Sequence, residues 1–198
     1  MRVSVTDLDQ LRYYQNSDME LGDLLARLRR ETPPTRAMAA GTAFHDLLEH
    51  SAEVELVDVE HQGFRFVFDL DAEIAIPTMR EIKVEKVYRV GSTDVTLVGM
   101  VDAIEGGAGY DHKLTARFDA ERYANAIQWR AYCDIFRCQR FTYNVFVAKD
   151  EGDRILVRSF EPLTFWTYPG LHRDLMTSLR EFVDFAHEYL PERFEQAA

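Results

Sequence analysis

The apolar positions change period several times along the chain, and each change marks an element. Residues 5 to 31 carry a helical rhythm, with Leu21, Leu24, Leu25 and Leu28 at spacings of three, one and three. Thr6 or Asp7 is the expected cap of the first segment and Asp18 of the second, because a short oxygen-bearing side chain can accept from first-turn amides. Pro33 and Pro34 end the rhythm, and Thr35 opens a further helix to about Glu53. The period then falls to two. Val54 to Val59 and Gly63 to Asp69 read as a hairpin joined through Glu60-His61-Gln62. Ile82 to Val90 and Val95 to Ile104 read as a second pair, turned at Gly91-Ser92. Val98-Gly99-Met100-Val101 is apolar on both alternating faces, the pattern of a strand covered on both sides. A glycine-rich turn, Glu105 to Gly109, leads into a strand from Tyr110 to Thr115. One helix is predicted from Asp119 to about Arg137. Strands Phe141 to Ala148 and Arg154 to Phe160 follow around an Asp150–Asp153 turn, then a last helix from about Thr167 to Tyr189. This order predicts an α/β protein with a mixed central β-sheet flanked by helices on both faces. It forms one domain over residues 1–198: a helical N-terminal part (1–53), the sheet and its helix (54–160) and a C-terminal helix (161–198).

The chemistry concentrates between Gly99 and Lys113. With Glu105 to Ala108 as a four-residue hairpin loop, Ile104 opposes Gly109, Ala103 opposes Tyr110 and Asp102 opposes Asp111. Opposed residues of an antiparallel pair point to one face, and Lys113, two positions on, shares it. Like charges facing each other destabilise a sheet, and removing them from water costs more. A divalent cation that favours oxygen ligands, Mg²⁺ or Mn²⁺, would relieve both penalties. A solvated turn end, where the three charges neutralise one another, is the competing reading.

Two helical segments bear on that choice. Gly41, His45 and Glu49 stand at spacings of four on one helix face, so His45 can lend an imidazole to the same ion with Glu49 as an accessory acid. Gly41 costs a helix about 1 kcal/mol relative to alanine, which a close approach to the sheet would offset. Gln128 and Tyr132 also share a face and offer hydrogen bonds to a phosphate, a base or an attacking water. For each segment, an ordinary structural role is the alternative.

Taken in order, these segments resemble the PD-(D/E)XK nuclease superfamily, in its RecB-like exonuclease branch. The helix Gly41-Thr-Ala-Phe-His45, the strand Gly99-Met-Val-Asp102, the strand Asp111-His-Lys113 and the helix Gln128-Trp-Arg-Ala-Tyr132 stand as that branch's four motifs, within residues 36 to 135 or so. The resemblance implies a restriction-endonuclease-like core. It implies His45, Asp102, Asp111 and the His112 backbone carbonyl as ligands of Mg²⁺ or Mn²⁺, with Lys113 activating water and stabilising phosphate charge. Gln128 and Tyr132 would position substrate or support the site, and Glu85 is similar to an upstream strand glutamate of some relatives. The implied activity is hydrolysis of linear single- or double-stranded DNA by an exonuclease in recombination, repair or phage DNA processing. A catalytically silent nuclease-fold protein that binds or regulates a partner, such as a recombination protein, is the alternative. RNA or a structured junction as substrate is a third reading. Asp111 stands where glutamate is common in the superfamily, and His112 replaces an apolar residue. No helicase motor accompanies the motifs, so a stand-alone enzyme similar to compact phage exonucleases is expected.

Composition narrows the picture. Two cysteines, Cys133 and Cys138, are too few for the four-cysteine iron–sulfur cluster of many relatives, and packed thiols are expected. No segment approaches the roughly 18–20 apolar residues of a membrane span, and no signal-peptide core is seen, so a cytoplasmic protein without membrane contact is the default. The net charge of −11 argues against a nucleic-acid coat protein. Residues 113 to 140 nevertheless hold six basic against three acidic side chains. Arg117, Arg122 and Arg130 are the candidate phosphate contacts in this stretch, while Trp129 and Tyr123 could stack bases but are expected in the core. Oligomerisation stays open.

Overall fold

In a computed structural model, which describes residues 1–50, 56–70 and 80–195, the chain opens with a short strand rather than a helix. This strand, β1 (Arg2–Ser4), pairs in parallel with Thr96 to Val98 of the later β5 (Thr93–Glu105). Ser4 then caps α1 (Val5–Gln15). Its hydroxyl accepts from the Asp7 amide while the Asp7 carboxylate accepts from the Ser4 amide, a reciprocal box that supersedes the expected caps Thr6 and Asp7. The second helix, α2 (Leu21–Leu28), follows Glu20 with no side-chain cap, so Asp18 does not serve there either. Thr35 does cap α3 (Arg36–Glu49), through the Met38 amide. The predicted continuation of α3 to Glu53 and the strand start at Val54 fall outside the described residues.

The first hairpin is β2 (Asp58–His61) and β3 (Phe64–Phe68), turned at Gln62-Gly63. The second is β4 (Arg80–Val90) and β5. A two-residue turn, Gly106-Gly107, joins β5 to β6 (Ala108–Thr115). Both glycines have positive φ, 55° and 75°, which they adopt without a Cβ penalty. The turn is tighter than the expected four residues, yet the register is the expected one, and Glu105 opposing Ala108 adds one pair. The single helix predicted from Asp119 is two: α4 (Ala120–Asn125), capped by Asp119, and α5 (Gln128–Phe136), separated by Ala126 in extended conformation. Then come β7 (Arg140–Asp150) and β8 (Ile155–Trp166), which runs past residue 160. The chain closes with α6 (Leu171–Tyr189), which begins after Gly170 rather than at Thr167, and α7 (Glu192–Glu195).

The strands form one mixed sheet, ordered β1-β5-β6-β7-β8-β3-β2, with β4 on the remaining edge of β5. Helices cover both faces. Phe141, Tyr143 and Val145 of β7 join a core with residues of α1, α2, α5 and α6, whereas Phe146 and Ala148 join a second core under α3, with Phe44, Leu48 and Phe66. Helix α5 lies close on β5: a Cβ at Gly99 would stand 3.0 Å from a Tyr132 ring carbon. The other side of that strand is more open than expected at Met100, which is 52% exposed, while Val98, Asp102 and Ile104 on that side are half-buried. No described helix is long and apolar enough to cross a membrane.

Candidate active site at a fork in the sheet

Strand β5 holds β4 along one edge, and β1 and β6 share the other. On that second edge Thr96 to Val98 pair with β1 and Ala103 to Glu105 pair with β6. Between them, Gly99 to Asp102 have no strand partner on this edge among the described residues. The β5–β6 ladder ends at Ala103–Tyr110, so the expected Asp102–Asp111 pair does not form. Instead β6 runs parallel with β7 from Ala108 through Thr115, and an Asp102 carboxylate oxygen, Oδ2, accepts the His112 amide at 2.6 Å. A side chain thus replaces the ladder bond where the strands diverge.

Both helical layers reach this fork. From α3, anchored by Phe44 on Phe66 and Phe146, the His45 Nδ1 lies 3.1 Å from Asp102 Oδ2. From α5, Gln128 Nε2 donates to Asp111 Oδ1 at 3.0 Å, with the Tyr132 hydroxyl 3.5 Å away. The Lys113 ammonium sits 2.6 Å from Asp111 Oδ2. The Asp111 side chain is 4% exposed, against 19% for Asp102, 31% for Lys113 and 32% for His45. Asp111 is therefore the floor of the site and the other three its wall. His112 turns its ring away, edge-on to Phe146 with the Asn144 amide 3.3 Å from its Nδ1, and contributes its backbone here.

Burial and charge pull these groups in different directions. Burial pushes the Asp111 carboxyl up to about 6, despite Lys113 beside it. Burial also raises Asp102, but His45 and then Lys113 outweigh it and leave that carboxyl low. Burial works against a charged Lys113, yet Asp111 and Asp102 raise it, so it stays a cation at neutral pH. The His45 imidazole is likewise raised: burial lowers it, and the bond to Asp102 prevails.

The donor set suits a hard divalent cation: two carboxylates and an imidazole. Asp111 Oδ2 is fully buried and meets the Lys113 ammonium at 2.6 Å. A carboxylate oxygen has a second lone pair, so this contact leaves it able to ligate an ion as well. The three ligands are set wider than another group: Asp46, Glu49 and His50, on the outer side of α3, hold ligand atoms within 4.8 Å of one another.

Several expected site residues lie elsewhere. Glu49 belongs to that outer group. Glu85 pairs with Arg2 on the exposed face of β4, the Arg2 side chain reaching it from β1 across β5. Arg130 is taken up by the helix break: it donates to the Ala124 and Ala126 carbonyls and the Tyr168 hydroxyl and covers the Trp129 ring. Arg117 and Arg122 are exposed and have no acidic partner among the described residues. Gly41 has open space where its Cβ would be, so no close approach compensates it. Trp129, Tyr123 and both cysteines are buried, the latter as free thiols. Asp9 and Tyr143 went unnoticed in the sequence. Asp9 accepts the Ile127 amide at 2.7 Å, and the buried Tyr143, opposite Asp111 in the β6–β7 ladder, has its hydroxyl beside the Trp129 amide. No local pattern could have found either, since each depends on contacts distant in sequence.

No family model matches the chain, and no curated protein matches it. Among solved structures, SSO0001 superposes with a TM-score of 0.53 over 92% of this chain and 76% of its own, at 14% identity. An alkaline exonuclease from Laribacter hongkongensis, LHK-Exo, gives 0.49 over 100% and 95%, at 12% identity. The same enzyme in complex with dAMP gives 0.48 over 99% and 94%, at 11% identity. At such identities a likeness is one of chain fold and assigns no activity.

Proposed function

We propose that the chain is a divalent-metal-dependent deoxyribonuclease of the PD-(D/E)XK type, acting as an exonuclease on linear DNA in recombination, repair or phage DNA processing. The observation that carries this reading is the meeting of Asp102, Asp111 and Lys113 at the fork, with His45 from one helical layer and Gln128 from the other. His45, Asp102, Asp111 and the His112 carbonyl would hold Mg²⁺ or Mn²⁺. Such an ion, when bound, polarises a phosphate oxygen and lowers the pKa of a water.

The remaining roles belong to the chain's own groups. Lys113, kept charged by the two acids, places a cation where negative charge gathers in the transition state. Gln128 fixes the Asp111 carboxylate, with Tyr132 behind it. Asp102, by taking the His112 amide, holds the strands apart and keeps the fork open. Arg117 and Arg122 stand exposed beyond β6 as phosphate contacts that the acidic remainder of the surface does not offer.

The test is cleavage of end-labelled linear and circular DNA with Mn²⁺ or Mg²⁺. Linear DNA should be consumed and circular DNA spared. Lys113→Ala should lower the rate by about 100-fold or more, as loss of a transition-state charge contact does, with an unchanged circular-dichroism spectrum. An unaltered rate in Lys113→Ala would remove the assignment. No cleavage and no Mn²⁺ uptake by calorimetry would favour the silent binding protein instead.

A further inference from the structure

Resting on the nuclease reading of this site, we infer that Asp9 is a positioning residue: from α1 it fixes the start of α5 and so holds Gln128 against Asp111. The helix that carries Gln128 breaks where its sequence pattern does not. Residues 119 to 137 have a continuous helical pattern, yet Ala126 is extended at φ −61°, ψ 140°, and Ile127 returns to helical values. Such a break strands the first amides of the second helix. Ile127, at the cap position of α5, has no capping side chain of its own. Asp9, 118 positions earlier, supplies the missing acceptor by taking the Ile127 amide at 2.7 Å. Burial raises the Asp9 carboxyl to about 6, against which the Ile127 and Gln128 amides favour its ionised form. The other side of the break is closed as well. Trp129 Nε1 donates to the Ala124 carbonyl, and Arg130 to those of Ala124 and Ala126.

The consequence falls on Gln128. It is the first residue of α5, beside the amide that Asp9 caps, and its side chain is the donor to Asp111 Oδ1. A helix running straight through Ala126 would carry Gln128 along the α4 direction, away from that contact. Asp9 has no ion pair among the described residues, although Lys113 and Arg12 lie near enough to favour its charge. A partly buried carboxylate spent on two amides is explained by the helix start it holds, and that start is where the site residue stands.

The experiment compares the full chain, D9A and D9N by amide exchange in nitrogen-15 NMR and by Mn²⁺-supported cleavage of linear DNA. In D9A the Ile127 amide and the Gln128 side-chain amide should lose protection. Its kcat should fall about tenfold or more, the range for removing a group that supports a site ligand, with KM within about threefold. D9N keeps an acceptor, so it should recover the Ile127 protection and most of the lost kcat. If D9A does not fold, D9L keeps the side-chain shape without an acceptor and is read the same way. Wild-type Gln128 exchange and wild-type kcat in a less stable D9A would overturn the inference and leave Asp9 a structural cap. Should the wild-type chain not cleave DNA, the nuclease reading fails. Gln128 exchange then decides Asp9 alone: lost protection in D9A upholds the positioning, and retained protection refutes it.

Discussion

Two buried oxygens at the base of the fork differ in what surrounds them. Asp111 Oδ2 has the Lys113 ammonium at 2.6 Å. The Tyr143 hydroxyl is enclosed with the Trp129 amide beside it, at a geometry short of a full hydrogen bond. An unsatisfied buried hydroxyl costs about 1–3 kcal/mol. Tyr143→Phe should therefore raise the melting temperature by roughly 2–4 °C per kcal/mol recovered in a chain of this size. A thermal melt decides it, and a lowered melting temperature would show that the hydroxyl is engaged. Individual side chains were legible where chemistry and spacing coincide. The glycine-rich turn sets Ala103 opposite Tyr110 and Ile104 opposite Gly109 and so brings Asp102, Asp111 and Lys113 near one another, although the expected Asp102–Asp111 pair does not form. Glu85 and Arg130 are engaged elsewhere for a common reason: a charged side chain is claimed by its nearest partner in space. Arg2 lies 83 positions from Glu85, and the carbonyls that take Arg130 are exposed only because a helix breaks.

Glycines test how elements meet, and two of them carry opposite expectations. Gly41 lies inside α3 with nothing within 4 Å of where a Cβ would be. Gly41→Ala should stabilise the chain by up to about 1 kcal/mol through helix propensity alone. At Gly99 a Cβ would meet Tyr132 ring carbons at 3.0 and 3.2 Å and an Ile135 carbon at 3.2 Å. Gly99→Ala should destabilise by about 1–3 kcal/mol, the cost of overpacking a well-filled contact. It should also slow cleavage, since it displaces the helix that carries Gln128. Urea unfolding of both variants gives the two signs; equal effects would mean that α5 does not seat on Gly99. These glycines look alike in sequence, each at the head of a motif, and only packing separates them. The same limit hid the α4–α5 break. Periodicity reports an element's own face, whereas the break is made by a carboxylate from the first helix. Local signals fared better where the cause is local, as with the Thr35 cap and the Gly106-Gly107 turn.

The chain builds two cores on opposite sides of one sheet, and the candidate site is where both reach the gap in β5. Its groups are consequently enclosed, and protons compete there with any cation. A carboxyl raised in the folded chain contributes stability fully below its ordinary value of 3.8, and that contribution is lost as pH rises through about 6 for Asp111. Above that range the metal-free site holds an enclosed, ionised carboxylate, and a bound cation offsets the loss. The raised His45 acts in the same direction, because a protonated imidazole cannot ligate until the pH exceeds its pKa. Mn²⁺ should accordingly raise the melting temperature more at pH 8 than at pH 5. At about 100 times its dissociation constant the gain is roughly 2.7 kcal/mol, or about 5–10 °C. The outer group of Asp46, Glu49 and His50 offers an alternative seat for the same ion, and substitution separates the two. Asp102→Asn and Asp111→Asn should each abolish most of the shift, while His50→Ala should leave it intact. A shift that survives both aspartate variants and disappears with His50→Ala would place the ion on the outside of α3 and leave the fork without a metal.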